Sequence, residues 1–168
     1  MASPSTSPDA PMRKLDAQEA EGSIRPRIII VDDDAFLRGT MARILEREGY
    51  QVTQAVDGDQ ALAHYRKKPA DLVIVDAYMP KMNGLVVINE LIKEFPKVSI
   101  MAVSAGGLFD NATTVLQRAA LLGAVRTLAK PFDREKLVEV VAEALAASEL
   151  AESSCQVSVP AEQRAPRV

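Results

Sequence analysis

Five times along this chain a short β-branched or aliphatic run is followed, within a few residues, by a segment with apolar residues at helical spacing. The runs are 28–31 (Ile-Ile-Ile-Val), 50–55, 71–76, 98–103 and 125–129. The helical segments are 35–48, 60–68, 85–95, 112–122 and 135–150, and Asp57-Gly58 ahead of the second reads as a turn. In the first of these, Phe36, Leu37, Met41, Ile44 and Leu45 recur at helical spacing and Gly49 supplies the stop. Leu72 to Val75 are apolar without interruption, as in a strand buried on both faces. Regular strand–helix alternation with short connections predicts a parallel sheet, and right-handed crossovers distribute the helices over both of its faces. A length of 168 residues suits one domain and is too short for an eightfold barrel. The expected fold is α/β, a doubly wound three-layer sandwich with a five-stranded parallel sheet, over residues 26–150.

The flanks read differently. Residues 1–25 begin rich in Ser, Pro, Thr and Ala and continue mixed and charged, and residues 151–168 are polar, so both are expected to be disordered tails. No apolar run is long enough for a signal-peptide core or a membrane span, and Ala2 excludes N-myristoylation, so a cytoplasmic protein without a membrane partner is expected. The net charge of −3 argues against a nucleic-acid-binding surface. With Cys155 the one cysteine and His64 the one histidine, a thiolate metal cluster is excluded, and any histidine-based catalytic site would depend on His64. His64 falls in a helical pattern beside Ala61, Leu62 and Tyr65, where a partly exposed surface residue is expected.

In a parallel sheet all carboxyl ends point one way, and the crevice beyond them is where ligands bind. The residues there are Asp32 and Asp33 after the first run, Asp76 after the third, Ser104 after the fourth and Lys130 after the fifth. Each alone has an ordinary reading: an Asp run before a helix caps it, which suits Asp34, and Ser or Lys after a strand belongs to a turn. Together they describe a site. Several carboxylates with no His or Cys favour a hard cation, and Mg²⁺ (or Mn²⁺) fits because it binds through a few carboxylates and keeps waters. A hydroxyl and an ammonium opposite would suit a phosphoryl group carried on Asp76.

In this order and spacing the motifs Ile-Ile-Val-Asp32-Asp33, Val-Ile-Val-Asp76-Ala-Tyr-Met-Pro80-Lys-Met-Asn-Gly84, Val103-Ser104-Ala105 and Lys130-Pro131-Phe132 resemble those of the CheY-like receiver domains of bacterial two-component response regulators. The resemblance spans about 27–150. It implies a flavodoxin-like strand order 2-1-3-4-5 and a stand-alone response regulator, a signalling phosphoacceptor rather than an enzyme. Asp76 would be the phosphoacceptor, taking its phosphoryl group from a sensor histidine kinase or a histidine phosphotransfer protein. Asp32, Asp33, Asp76 and the backbone carbonyl of Tyr78 would hold Mg²⁺. Ser104 and Lys130 would contact the phosphoryl oxygens, and the peptide before Pro131 would be cis. The output partner is unnamed, and the protein would be a monomer or a phosphorylation-dependent homodimer.

Three positions depart from the family pattern. Thr127 occupies the place of the switch aromatic and cannot make the aromatic swing. The stretch between Ser104 and Lys130 is a few residues longer than usual, with the excess between Ala105 and Phe109, either a lid or partner contact or a tolerated surface insertion. Asn83 replaces the commoner Asp before Gly84, at a turn position where little effect is expected. Tyr78, beside the attack site, is expected to shield the phosphoryl group from water. The competing reading is a phosphorylation-independent interaction module, which has no need of all five strand-end residues. A phosphatase of the haloacid dehalogenase type wants a second Asp two residues after the nucleophile, where this chain has Tyr78. A flavin phosphate would meet an acidic first strand end.

Overall fold

A computed structural model describes residues 25–79, 83–105 and 111–154. Both predicted tails (1–25 and 151–168) lie outside these residues except Arg25 and the stretch 151–154, and the long loop does so apart from Ala105. Ten elements alternate: β1 Arg27–Val31, α1 Ala35–Arg47, β2 Gln51–Ala55, α2 Gly58–Lys67, β3 Leu72–Asp76, α3 Gly84–Glu94, β4 Ile100–Ser104, α4 Ala112–Leu122, β5 Arg126–Ala129 and α5 Arg134–Ser154. The strands form one sheet in the order β2-β1-β3-β4-β5, every pair parallel. The doubly wound sandwich and its strand order are therefore as expected.

Two layers of core follow from the period-2 alternation of the strands. Ile28, Ile30, Leu72, Ile74, Met101, Val103 and Leu128 face α1 and α5, meeting Met41, Leu45, Leu137 and Val141. Ile29, Val31, Val73, Val75, Ile100 and Ala102 face α2, α3 and α4, meeting Leu62, Tyr65, Ile88, Leu91 and Leu116. The central strands β1, β3 and β4 are buried on both faces, which explains their unbroken apolar runs. The edge strands β2 and β5 are largely open to solvent.

Capping settles where several helices begin. Asp34 Oδ1 accepts the amides of Phe36 and Leu37 at 2.9 and 3.1 Å, the N-cap of α1. Asp57, expected in a turn, is the N-cap of α2, accepting Gln60 N–H at 2.9 Å, so that helix starts at Gly58 and not at 60. Asn83, also expected in a turn, caps α3 through Leu85 N–H at 3.0 Å. The last helix runs to Ser154, four residues beyond the expected end at 150. Ala151 and Glu152 are good helix formers, and no Gly or Pro interrupts the chain before Pro160. Among the described residues no helix is long and apolar enough to cross a membrane.

Candidate functional site

The sheet register builds the site. Val31 pairs with Val75 across β1 and β3, so Asp32 and Asp76, one residue further along, leave adjacent strands side by side. On the other flank Asp76 pairs with Val103, and Ser104 pairs with Ala129, the residue before Lys130. The Lys130 N–H donates to the Ser104 carbonyl at 2.9 Å, carrying the strand pairing one step beyond β5. The Lys130–Pro131 peptide is cis, as expected.

Lys130 joins two of the strand ends. Its Nζ donates to Asp76 Oδ2 at 2.6 Å and to Asp32 Oδ2 at 3.0 Å. The other oxygen of each carboxylate is held by main chain. Tyr78 N–H donates to Asp76 Oδ1 at 2.9 Å and Asp34 N–H to Asp32 Oδ1 at 2.8 Å. Asp32 is wholly buried, Asp76 is 7% exposed, and Asp33 faces solvent. One carboxylate oxygen from each of Asp32, Asp33 and Asp76 lies within 4.8 Å of the others, an all-oxygen donor set that suits a hard divalent cation. Asp34 caps α1 and stands outside that group.

Burial is the main influence on Asp76 and pushes its carboxyl above the ordinary aspartate value; the Lys130 and Tyr78 hydrogen bonds offset this in part, and the charge of Asp32 adds to it. At Lys130 burial works against the charged form. The hydrogen bond and charge of Asp76, then those of Asp32, outweigh it, so the ammonium is held above the ordinary lysine value. The two directions have different origins: burial at Asp76, and the neighbouring carboxylates at Lys130.

Of the other expected residues, Ser104 ends β4, fully buried. Tyr78 is 40% exposed, two residues beyond Asp76. Thr127 is exposed on β5, on the wall of an open groove of about 710 Å³ lined also by Leu128, Ala129, Phe132 and Lys136. His64 is partly exposed on α2, as expected, and takes no part.

Two residues at the site escaped the sequence reading. Arg38, one turn into α1, reaches back with Nη1 to the Asp32 carbonyl at 2.6 Å and braces the Asp32–Asp33 peptide. Its only sequence signal is its place four residues after the cap. Gly84 abuts the main chain of Asp76; its signal, a glycine directly after a capping residue, reads equally well as a turn.

A family model described as "Response regulator receiver domain" matches residues 28–142. The chain is 34% identical over 122 residues to the chemotaxis protein CheY of Treponema pallidum, an overlap of 71% of this chain and 82% of that one. It is 32% identical over 120 residues to the nitrogen assimilation regulatory protein NtrX of Azorhizobium caulinodans, covering 70% of this chain and 26% of that longer protein. The crystal structure of a CheY-like receiver domain protein from Methanospirillum hungatei superposes with a TM-score of 0.68 at 27% identity, over 76% of this chain and 98% of that one. Fold, strand-end chemistry and these matches lead to one conclusion: the chain belongs to the response regulator receiver domain family.

Proposed function

We propose that this receiver acts as a single-domain response regulator, taking a phosphoryl group onto Asp76 from a phosphohistidine on a sensor histidine kinase or a histidine phosphotransfer protein. The observation that carries this reading is the Asp76 carboxylate, buried at the end of β3, bonded to Lys130 and ringed by Asp32 and Asp33. The single-domain form is supported by the overlap with most of the length of the chemotaxis relative. Asp76 attacks phosphorus, the bond to the imidazole breaks, and an acyl phosphate forms. Lys130, kept charged by its carboxylate neighbours, then pairs with a phosphoryl oxygen. Ser104, at the end of the adjacent strand, hydrogen-bonds another. Asp32, Asp33, Asp76 and the Tyr78 carbonyl would hold Mg²⁺ (or Mn²⁺), which supplies counter-charge for the transferring group. The added charge is read out through β4, α4 and β5, with Thr127 in place of an aromatic switch, toward an output protein.

The test is intact mass after incubation with Mg²⁺ and acetyl phosphate, with a phosphorylated histidine kinase as second donor. The wild type gains one phosphoryl group; EDTA and Asp76→Asn each abolish the gain. No gain from either donor, with folded protein, overturns the proposal in favour of a phosphorylation-independent module.

Tyr78, 40% exposed and two residues after the phosphoacceptor, slows water attack on the acyl phosphate. Tyr78→Asn therefore loses its phosphoryl group several-fold faster than wild type in a decay assay on phosphorylated protein. An unchanged decay rate removes Tyr78 from this role.

A further inference from the structure

We infer that Gly84 is a positioning residue for the phosphoacceptor: the start of α3 rests directly on the Asp76–Ala77 peptide, and only a residue without Cβ allows it. A Cβ built on Gly84 would lie 1.9 Å from the Asp76 carbonyl oxygen, 2.8 Å from the Asp76 carbonyl carbon and 2.7 Å from Ala77 Cα. These are backbone atoms, which cannot rotate aside as a side chain can. The demand is for space and not for an unusual conformation, since the positive-φ glycines among the described residues are Gly49 and Gly123.

The peptide that Gly84 touches cannot yield either. Ala77 N–H donates to the Val103 carbonyl of β4 at 2.8 Å, and the strand behind it is buried on both faces. A methyl group at 84 therefore drives α3 outward. Tyr78 belongs to the connection that leaves Asp76 and returns at Asn83, and its N–H holds Asp76 Oδ1. Asp76 is thus held from two sides, by Tyr78 N–H at its carboxylate and by the Gly84 contact at its carbonyl. Opening the second contact releases the Tyr78 main chain, whose carbonyl belongs to the proposed cation site. This inference rests on the cation and phosphoryl reading given above.

The test compares Mg²⁺ affinity by titration calorimetry, melting temperature and phosphoryl uptake from acetyl phosphate in wild type and three variants. Gly84→Ala lowers the melting temperature and weakens Mg²⁺ binding by about tenfold or more, the usual range when support for a metal ligand is removed. Gly39→Ala/Gly84→Ala separates fold from position. Gly39 lies within α1, where an added Cβ would meet nothing within 4 Å beyond the helix's own local backbone, so alanine there stabilises the helix. The double variant recovers melting temperature while Mg²⁺ affinity stays low, and it carries the measurement if Gly84→Ala alone is too unstable to titrate. Asn83→Ala removes the cap of α3 without intruding on Asp76; it melts lower and keeps Mg²⁺ affinity within about twofold of wild type. Wild-type affinity in the double variant, or equal weakening in Asn83→Ala, overturns the positioning role alone. A wild-type protein that binds no Mg²⁺ and takes up no phosphoryl group overturns the site reading and this inference with it.

Discussion

Free of divalent cations at neutral pH, Asp76→Asn is expected to melt several degrees above the wild-type protein. The pocket holds the Asp76 carboxyl above its ordinary value of 3.8, with burial as the main cause. Each pKa unit of that kind corresponds to about 1.4 kcal/mol. In a domain of this size 1 kcal/mol moves the melting temperature by roughly 3–5 °C. The sign follows from proton counts. Between 3.8 and the raised value the folded protein keeps a proton that the unfolded chain has released. Stability therefore falls as pH rises through that window and stays lower above it. Asparagine removes the charge, and its side-chain oxygen still accepts from Lys130. The melting-temperature gap between mutant and wild type should thus close as pH falls below 3.8 and open as pH rises toward the raised value. Mg²⁺ acts in the opposite sense. Bound only by the folded state, it stabilises wild type by about 2.7 kcal/mol at a hundred times Kd, and it stabilises Asp76→Asn less because one ligand has lost its charge. Calorimetric scans with and without Mg²⁺ across this pH range check both halves. A mutant melting below wild type at pH 7 without cation would mean that the Lys130 bond outweighs burial.

The same carboxylates show why so much of the site was legible in the residues. Strand runs such as Ile28–Ile29–Ile30–Val31 can be little else, and in a parallel sheet the residue after each run must lie on one edge. Asp32, Asp76, Ser104 and Lys130 are brought together by that rule alone. Strand order is different: right-handed crossovers permit several orders, and 2-1-3-4-5 came from the family resemblance rather than from any residue. Asp57 and Asn83 were read as turn residues because Asp-Gly and Asn-Gly serve both as turns and as a cap followed by the first helical residue. Only the continuation of the helix decides between them. The contacts of Gly84 and Arg38 were hidden for another reason. Each depends on the distance between a helix start and a neighbouring strand end, which no local pattern records.

The largest stability loss is expected from Lys130→Met. Its ammonium, with the side chain 14% exposed, is hydrogen-bonded at 2.6 and 3.0 Å to two buried carboxylates. Taking one partner from a buried ion pair leaves charge without compensation and costs about 3–5 kcal/mol. The loss is read as a melting temperature lower by ten degrees or more in cation-free buffer. Asp76→Asn/Lys130→Met should recover part of it, because one of the two stranded carboxylates is then neutral. The deficit between the single variants and the double gives their coupling. Lys130 itself titrates above the ordinary lysine value, so its contribution is fully present at neutral pH and is lost only as pH rises through that alkaline value. Wild type and Lys130→Met should therefore converge in strongly alkaline solution and differ most below it. Added Mg²⁺ restores stability to Lys130→Met more than to wild type, since the cation takes over the neutralising role of the ammonium, but phosphoryl uptake is expected to stay impaired because the proposed partner for the phosphoryl oxygen is gone. Stability regained in Mg²⁺ together with full phosphoryl uptake would show that Lys130 serves the fold and not the transfer.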